Sequence, residues 1–327
     1  MIIERDPDTK LFSIDLPGKS LKTPFFFPSI STVKTNFQVS EYFELLKKSG
    51  YPGFLVSAYD LFESKGRQSL CKEISELTEN ATFTFIDSGN YESYWHRDGD
   101  WNIDNYMDVL KEISIDFAFS FDVFWKEKMK INDYVQKVIE NTATTTSVQN
   151  MGETVPIIHG TPENLPKIAL KVVEGINPQI IGVTERELGY DLFERAENLK
   201  NIRASLDDKE RDVVIHLLGT GNPISLLVYS LCGADFFDAL EWCTTVARPD
   251  NGHLYHFAQG NIFNCRCKAC MSKVEYPLKT MGHNLIFYKK FMKELRISIE
   301  NDSVNKLLER YVPQSGISKV KKIVGLK

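Results

Sequence analysis

The stretch FTFIDSG, residues 83–89, places an apolar run directly before an aspartate, a serine and a glycine. Similar β-rich apolar runs recur along the chain, at 54–56, 117–121, 155–158, 180–183, 213–218 and 234–237. Amphipathic stretches of helical length separate most of these runs. Because runs that are apolar on both faces and alternate with helices are typical of a parallel sheet covered by helices, the chain is predicted to be an α/β protein.

The number of these units favours a closed barrel. Seven runs, with room for an eighth strand near 254–257, predict a (β/α)8 TIM barrel. An open doubly wound sheet is the alternative, although no GxGxxG turn follows the first run. In a barrel, the polar residues that follow the runs would meet at the C-terminal mouth, where active sites are built. These residues are Asp87, Asp122, His159, Thr184, Gly219 and Asp238.

The cysteines fall into two groups. Cys71, Cys232 and Cys243 stand alone in apolar surroundings, as small buried thiols do. The remaining three are closely spaced, and a histidine follows after twelve intervening residues, which together give a set of four candidate metal ligands: Cys265, Cys267, Cys270 and His283. Thiolate and imidazole in such a set match a closed, structural Zn2+ site. The alternative is three reduced surface thiols and an unrelated histidine.

Composition and charge limit the class of protein. The 327 residues are 43% hydrophobic and 25% charged, with a formal net charge of −5, so no overall basic field indicates a nucleic-acid partner. The first residues, MIIERDPDTK, have no apolar run, and no window is long and apolar enough for a membrane span. We therefore expect a cytoplasmic protein without a signal peptide and without a membrane partner.

The same patterns suggest three parts. We expect a catalytic barrel over 1–258, a zinc-binding segment with a packed helix over 259–312, and a basic tail over 313–327. Such a tail is usually solvated or frayed, and its lysines are candidates for a nucleic-acid contact.

Two carboxylates stand out for chemistry. Asp87 and Asp238 both end apolar runs and lie more than a hundred residues apart, as a site assembled across a barrel requires. One carboxylate can attack a sugar carbon while a partly desolvated second one moves protons, which is the logic of glycoside chemistry. Either aspartate alone could equally be a loop cap or a salt-bridged rim residue.

The chain resembles a known family, the tRNA-guanine transglycosylases. The resemblance extends over most of its length, and the matching segments occur in the same order. The matching segments are TPFFFPSISTVK (23–34), FIDSGNYE (85–92), SFDVF (120–124), HLLGTGNP (216–223), GADFFDAL (233–240), NGHLYHF (251–257), CRCKAC (265–270) and HNLIFYKKFMKELR (283–296). The choice of His283 as the fourth metal ligand rests partly on this resemblance.

The resemblance implies specific roles. Asp238 would be the nucleophile that attacks C1′ of a guanosine and holds the nucleic acid covalently. Asp87 would be the general acid/base, Ser88 would lie beside it in the base pocket, and Asp122 would accept hydrogen bonds from the purine Watson–Crick edge. The pocket wall and its turn would be built from further residues, namely Gly182, Leu218 and Gly219 with Thr220 and Gly221. The incoming base would be a 7-deazaguanine such as queuine, preQ1 or preQ0, and the zinc would be structural.

Several positions depart from the family pattern. His159 stands where the family usually has a glutamine, Phe124 stands where a small group is expected, and the family's DSGGFQ is here Asp87-Ser88-Gly89-Asn90-Tyr91-Glu92. These changes bear on the identity of the incoming base. In the loop after Asp238, only Arg248 is clearly kept of the residues that the tRNA enzymes use around the anticodon. Because one branch of the family modifies DNA, tRNA and DNA both remain open as the polynucleotide.

Other classes remain as alternatives. The chain could be a catalytically inactive partner subunit, a zinc-stabilised barrel that only binds nucleic acid or protein, or a glycosidase. A target base must leave its stack to enter a barrel mouth. Four tryptophans near the predicted rim are candidates to stack on such a base, namely Trp95, Trp101, Trp125 and Trp242. Dimerisation is common in the family, but no residue assigns an interface.

Overall fold

A ring of short parallel strands forms the centre of the protein in a computed structural model that describes residues 1–33, 35, 37–80, 82–148 and 152–326. The strands are β1 (Ile2–Arg5), β2 (Phe12–Leu16), β3 (Lys19–Lys22), β4 (Phe25–Ile30), β5 (Gly53–Ser57), β6 (Phe83–Asp87), β7 (Phe117–Phe119), β8 (Glu153–Val155), β9 (Ile157–Ile158), β10 (Ile180–Thr184), β11 (Val214–Leu218), β12 (Phe236–Ala239), β13 (Thr245–Ala247) and β14 (Leu254–His256). The helices are α1 (Val39–Ser49), α2 (Ala58–Glu63), α3 (Arg67–Glu79), α4 (Asn90–His96), α5 (Ile103–Leu110), α6 (Ile131–Thr146), α7 (Leu165–Ile176), α8 (Leu192–Asp207), α9 (Pro223–Leu231), α10 (Glu241–Thr244), α11 (Tyr276–Glu300), α12 (Val304–Tyr311) and α13 (Gln314–Val324). Short 3₁₀ helices cover Glu185–Leu188 and Phe257–Ile262.

The parallel strands close into a barrel. Their order is β8-β7-β6-β5-β4-β12-β11-β10-β9, and the two end strands are separated in the chain only by Pro156. Proline has no N–H, which interrupts the strand. However, the Pro156 carbonyl still accepts from Gly182 N at 2.8 Å, and Val155 O accepts from Ser120 N at 2.8 Å. Strands β8 and β9 therefore act as one strand, and the predicted (β/α)8 class is confirmed.

One barrel strand differs from the prediction. The missing eighth strand is β4, whose residues are all buried and which pairs with β12 on one side and β5 on the other. The segment near 254–257 instead forms β14, which pairs antiparallel with β13 outside the barrel. Pro28 within β4 explains the difference, because proline inside an apolar run argues against a central strand.

The helices cover the barrel with one apolar face. In α7, the buried side chains are spaced as in a single helical stripe: Leu165, Ile168, Ala169, Val172 and Val173. Burying a side chain of the Leu, Ile or Val type stabilises a fold by about 1.5–3 kcal/mol. Asn177, which ends α7 in the left-handed conformation at φ 46°, lets the chain turn back into β10.

A buried histidine lies among phenylalanine rings inside the barrel. His216, on β11, is fully buried. Its ring centroid lies 4.8 Å from that of Phe85 and 5.0 Å from that of Phe119, and Phe27 and Phe236 lie at 5.9 and 6.0 Å. A polar side chain is thus enclosed by phenyl rings, directly beneath the strand ends that carry the polar residues.

After the barrel, the long helix α11 fastens the C-terminal region to it. The Asn284 side chain accepts from Ala247 N at 3.0 Å and donates to Trp242 O at 2.8 Å. Tyr288 donates its hydroxyl to Gly221 O at 2.7 Å, and its ring stacks on Phe26 at 4.3 Å. These bonds tie α11 to the loops that follow β11 and β12.

The basic C-terminal segment is packed rather than frayed. Helix α13 buries Ile317, Val320 and Ile323, and the Lys200 ammonium donates to Ile323 O at 2.6 Å. A solvated tail was expected because the segment 313–327 is rich in lysine. The structure shows that they occupy one face of an amphipathic helix whose apolar face lies against α8.

Candidate active site at the mouth of the barrel

The polar residues predicted at the strand ends lie at the C-terminal mouth. Asp87 is the last residue of β6, Asp238 lies in β12, and Leu218 ends β11. Asp122 and His159 follow β7 and β9 directly in the loops. Because the strands are parallel, these side chains converge at one end of the barrel, which is the end where (β/α)8 active sites are found.

Asp238 is held by hydrogen bonds to both of its oxygens. Ser29 Oγ, from β4, donates to Oδ2 at 2.9 Å, and His216 Nε2 lies 3.0 Å from Oδ1. Within the described residues, the other ring nitrogen of His216, Nδ1, has no hydrogen-bond partner. We assign the proton to Nε2, because a lone pair there would face the carboxylate oxygen. His216 therefore donates to Asp238 and fixes its orientation.

Asp87 differs from Asp238, because its surroundings disfavour the ionised carboxylate. Its burial raises the pKa well above the ordinary value, and the negative charges of Glu92, Asp122 and Asp238 raise it further, while the Ser88 backbone hydrogen bond lowers it slightly. Loss of solvation and neighbouring like charges both disfavour the ionised form. Burial and these charges therefore favour the protonated form of Asp87 more than an exposed aspartate would experience.

Asp122 is the centre of a polar cluster. Its Oδ2 accepts from Ser88 Oγ at 2.6 Å and from Asn90 Nδ2 at 3.0 Å, and its Oδ1 lies 2.9 Å from His159 Nε2. Burial alone would raise the pKa of Asp122, but the bonds from His159, Ser88 and Asn90 lower it below the ordinary value. Asp122 is therefore an ionised acceptor, whereas the pKa of Asp87 is shifted in the opposite direction.

His159 links two carboxylates. Its Nδ1 lies 2.9 Å from Glu187 Oε1, on the opposite side of the ring from Asp122, and Thr184 Oγ1 donates to Glu187 Oε2 at 2.8 Å. Burial would lower the pKa of His159, but the two carboxylates raise it to about 10. A charged imidazolium with both N–H groups engaged thus stands where the family usually has a neutral amide.

The pocket floor needs glycine. A Cβ on Gly182 would lie 3.0 Å from the Phe119 ring and 3.1 Å from Leu218 Cδ1, so any side chain there would displace its neighbours. Gly219, the next residue after β11, has φ +77°, a conformation that L side chains rarely adopt. Gly182 lies in β10, Leu218 ends β11 and Gly219 follows it; that they form a pocket wall and its turn stays a prediction.

The four tryptophans have different surroundings. Trp242 is fully buried and donates Nε1–H to Ser29 O at 2.8 Å, and Trp101 is buried and donates to Ser88 O at 3.0 Å. Both support residues of the site and cannot stack on a nucleotide. Trp125 packs against Tyr134, whereas Trp95 is 49% exposed on α4. Trp95 is thus the most exposed of the four, and its ring contacts that of the exposed Tyr94.

Arg248 lies away from the strand ends. It is in the turn between β13 and β14, where its Nε donates to Asp250 Oδ1 at 2.7 Å. Its side chain is 43% exposed. A contact between Arg248 and a polynucleotide would therefore come from this hairpin rather than from the base pocket.

The proposed metal ligands form one cluster. The ligand atoms of Cys265, Cys267, Cys270 and His283 all lie within 4.8 Å of one another, and the three sulfur atoms lie 3.4–3.5 Å from His283 Nδ1. Tetrahedral Zn2+, with Zn–S of about 2.3 Å and Zn–N of about 2.0–2.1 Å, sets sulfur and nitrogen about 3.5 Å apart. His283 Nε2 lies 2.8 Å from Ala247 O, which leaves Nδ1 for a metal. The donor set fits zinc.

Sequence reasoning missed several residues of the site. Ser29 and His216, the partners of Asp238, lie within matched segments but were given no role, although His216 is the single polar residue of an apolar run. Glu187 gave no signal, because it lies three residues beyond a strand end. Asn90 was noted only as a departure from the family pattern.

Together, the closed parallel barrel, the carboxyl groups at its mouth and the Cys3His cluster define a (β/α)8 protein with an enzyme-like site. The comparison with protein families agrees with the resemblance seen in the sequence. The chain belongs to the family described as queuine tRNA-ribosyltransferase, whose model matches residues 8–316.

Curated relatives carry a more specific name. The chain is 24% identical over 248 residues to the tRNA-guanine(15) transglycosylase of Nanoarchaeum equitans, and 20% identical over 336 residues to that of Archaeoglobus fulgidus. The alignments cover 73% and 95% of this chain, but only 57% and 68% of the relatives. The chain therefore spans roughly three fifths of the length of the relatives it matches.

Proposed function

We propose that this protein is a guanine transglycosylase, which replaces a guanine of a polynucleotide by a 7-deazaguanine through a covalent intermediate on Asp238. The observation that carries the proposal is the pairing of two unlike carboxyls at one mouth. Asp238 is an oriented acceptor fixed by Ser29 and His216, whereas Asp87 is a carboxyl whose pKa is raised by burial and by neighbouring carboxylates. Base exchange needs both a nucleophile and an acid.

In the first half of the reaction, a carboxylate oxygen of Asp238 forms a bond to C1′ of the target guanosine. The bond between C1′ and N9 breaks, and its electron pair stays on the guanine. Asp87 gives its proton to the leaving base, which departs as neutral guanine. The fixed carboxylate lowers the entropic cost of attack, because it is already oriented.

In the second half, Asp87 is a carboxylate and accepts the N9 proton of the incoming base. N9 then forms the new bond to C1′, and the bond between C1′ and Asp238 breaks. Both aspartates return to their starting states, so no redox cofactor and no nucleotide energy are consumed. The reaction is a ping-pong exchange of one base for another.

Asp122 is the residue proposed to recognise the base. A carboxylate can accept both N1–H and the exocyclic amine of a guanine edge. Its Oδ2 is held by Ser88 and Asn90, whose short side chains can give way to a base, while His159 holds Oδ1. Gly182 and Leu218 then form the apolar wall.

The Cys3His cluster is the proposed site of a structural zinc ion. All four protein ligands are present, so the site has no open position for a substrate. His283 lies in α11, and burial lowers its pKa, which keeps the imidazole neutral and able to bind metal. A zinc ion held by Cys265, Cys267, Cys270 and His283 would fasten the loop before α11 to the helix that is bonded to the barrel.

For the polynucleotide, we propose tRNA. The relatives from N. equitans and A. fulgidus are named for guanine 15 of tRNA, and this name is the support for RNA over DNA. The target base must be flipped or unstacked to reach the mouth.

The test is incorporation of radiolabelled guanine into bulk tRNA and, separately, into duplex DNA. The wild-type protein is expected to label tRNA, and Asp238→Asn is expected to label neither. Asp208→Asn, which changes an exposed aspartate after α8, is the matched control and should retain labelling. Label in DNA alone would overturn the assignment of tRNA, and label in neither polynucleotide would overturn the proposed activity.

A further inference from the structure

The loop between β7 and α6, residues 120–130, takes part in the proposed reaction only through Asp122. After Asp122, its side chains divide between the core and the solvent. Val123, Trp125 and Met129 pack against the hydrophobic core. The side chains between and after them are exposed, namely Phe124, Lys126, Glu127, Lys128 and Lys130. The loop therefore presents one aromatic ring and three ammonium groups on the stretch of chain that leads away from the base pocket.

The backbone of this loop is held in place. The ring centroid of Trp125 lies 5.3 Å from that of Tyr134 on α6, and the Tyr134 hydroxyl accepts from His159 N at 2.6 Å. Met129 N donates to Lys126 O at 2.8 Å, which closes a turn within the loop. Because these contacts join the loop to the backbone of His159, its exposed side chains extend from a fixed position beside the polar cluster of the mouth.

Phe124 lies at the entrance of the pocket rather than inside it. Its ring centroid is 5.1 Å from that of His159, yet Phe124 is 52% exposed. The side chains of His159 and Asp122 are only 3% and 9% exposed. A base held by Asp122 would thus lie deeper than the Phe124 ring, and the nucleotide next to that base would remain at the level of the ring.

The three lysines of the loop are available to phosphate groups. Among the described residues, neither Lys126 nor Lys128 nor Lys130 forms an ion pair, and Glu127 is the only acidic residue between them. The mouth itself carries several carboxyls, which repel a polyanion. The phosphates of a bound strand are therefore best held just outside the pocket, by cations that no internal carboxylate neutralises.

We propose that residues 123–130, the rim loop, bind the polynucleotide strand beside the target nucleotide: the three lysines contact its phosphates, and Phe124 stacks on the base next to the target. When the target base leaves its stack, its neighbour loses a stacking partner, and an aromatic ring can replace that partner. This inference rests on the proposed function. It deepens that function by naming the surface of this chain that holds the substrate.

The lysines are tested by the salt dependence of binding. In the triple variant Lys126→Ala, Lys128→Ala and Lys130→Ala, the association constant for bulk tRNA should fall. The slope of its logarithm against the logarithm of salt concentration should become shallower by about two to three, because each lost phosphate contact removes about 0.7–0.9 from the slope. The melting temperature should match that of the wild type, since all three side chains are exposed.

A matched control keeps the number of removed charges the same. It replaces by alanine three exposed lysines on or just after the outer helices α1, α3 and α8, namely Lys47, Lys72 and Lys209. This variant should keep the affinity and the salt slope of the wild type. An equal change of slope in the two triple variants would mean that only the total charge of the protein matters, and would overturn the assignment of the rim loop.

Phe124 is tested with two ligands. Phe124→Ala should weaken tRNA binding by about tenfold with the salt slope unchanged, because it removes base stacking but no phosphate contact. Phe124→Trp keeps an aromatic face and should retain binding. The KM for free radiolabelled guanine should be unchanged in Phe124→Ala, because the free base occupies only the pocket. A raised KM for guanine with unchanged tRNA affinity would place the ring in the base pocket and overturn its assigned role.

The outcomes separate this inference from the proposed function. An unchanged salt slope in the rim-loop triple variant would overturn the inference even if the wild-type protein exchanges guanine. Binding of tRNA that weakens as expected in the rim-loop variants, without any exchange by the wild-type protein, would overturn the proposed function and support the rim loop as the binding surface.

Discussion

At the scale of single residues, Asp238, the proposed nucleophile, depends on a partner enclosed by aromatic rings. His216 gives its one engaged N–H to Asp238, and the phenyl rings of Phe27, Phe85, Phe119 and Phe236 leave it no room to turn. The hydrogen bond therefore acts on the direction of the carboxylate. We expect it to affect the attack on C1′ rather than the binding of the polynucleotide.

His216→Phe tests this role. Phenylalanine fits an aromatic enclosure and removes a nitrogen that has no partner among the described residues, but it also leaves the buried Asp238 Oδ1 without its donor, so the melting temperature should fall modestly. A hydrogen bond to a charged group contributes about 1.5–3 kcal/mol, so kcat for guanine exchange should fall about ten- to a hundredfold. KM for the polynucleotide should stay within about twofold. A large rise in KM with kcat unchanged would show that His216 serves binding instead.

His159 makes the stability of the protein depend on pH. Its folded pKa of about 10 lies above the unfolded value of 6.5. The stabilisation is therefore fully present below pH 6.5 and is lost as pH rises through about 10. Between pH 7 and 9.5 the melting temperature of the wild-type protein should fall, and in His159→Gln this part of the fall should be absent.

The control for this prediction is His256→Gln, which changes an exposed histidine. It should keep the wild-type slope. An identical slope in wild type and His159→Gln would mean that the imidazole is neutral in the folded protein, in conflict with its position between Asp122 and Glu187.

At the scale of elements, the sequence predicted strands wherever apolar runs ended in polar residues. The run that ends in Asp87 became β6, and the run that ends at Leu218 became β11. Strand β4 was missed for two reasons. Pro28 lies within its apolar run, and the strands that pair with it are distant in sequence. A barrel strand is defined by the two strands that pair with it. The pairing of residues 25–28 with residues 236–239 joins distant parts of the chain, so it leaves no local pattern in the sequence.

The partners of Asp238, the proposed nucleophile, were missed for a related reason. Ser29 and His216 reach Asp238 across 209 and 22 residues of chain. Residue type and spacing identified the carboxylates, whereas the hydroxyl and imidazole that orient them depend on how the strands are placed around the barrel. The metal ligands were predictable, because three of the four lie within six residues.

The Cys3His cluster predicts that the protein binds zinc and that its stability depends on this zinc. The purified protein should contain one zinc ion per chain, and Cys267→Ser should contain less than half of that. Because metal binding is coupled to folding, Cys267→Ser or treatment with a chelator should lower the melting temperature by about 5 °C or more. Cys71→Ala, which removes a buried thiol of α3 outside the cluster, should keep its zinc. Full zinc content in Cys267→Ser would contradict the ligand set.

At the scale of the whole molecule, charge limits how the protein holds a polynucleotide. The chain has a formal net charge of −5, and the hairpin arginine Arg248 is paired with Asp250. Exposed aromatic side chains on α4, Tyr94 and Trp95, offer stacking instead. Among the described helices, none has the length and apolar character needed to cross a membrane.

Few phosphate contacts predict a shallow salt dependence. The logarithm of the tRNA association constant, plotted against the logarithm of salt concentration, should have a slope no steeper than about −3, as expected for about three or four neutralised phosphates. Trp95→Ala should weaken binding by about tenfold, the effect of losing about 1–3 kcal/mol of base stacking, without changing this slope. A slope steeper than about −6 would show that basic residues dominate the interface.

The most direct test of the central claim is a search for the covalent intermediate. The protein is incubated with tRNA without an incoming base, denatured, and analysed by gel and by peptide mass spectrometry. Wild type and Asp208→Asn should give a protein–tRNA adduct on the peptide that contains Asp238, and Asp238→Asn should give none. Guanine exchange without any adduct, or an adduct on a different residue, would contradict the assignment of Asp238 as the nucleophile.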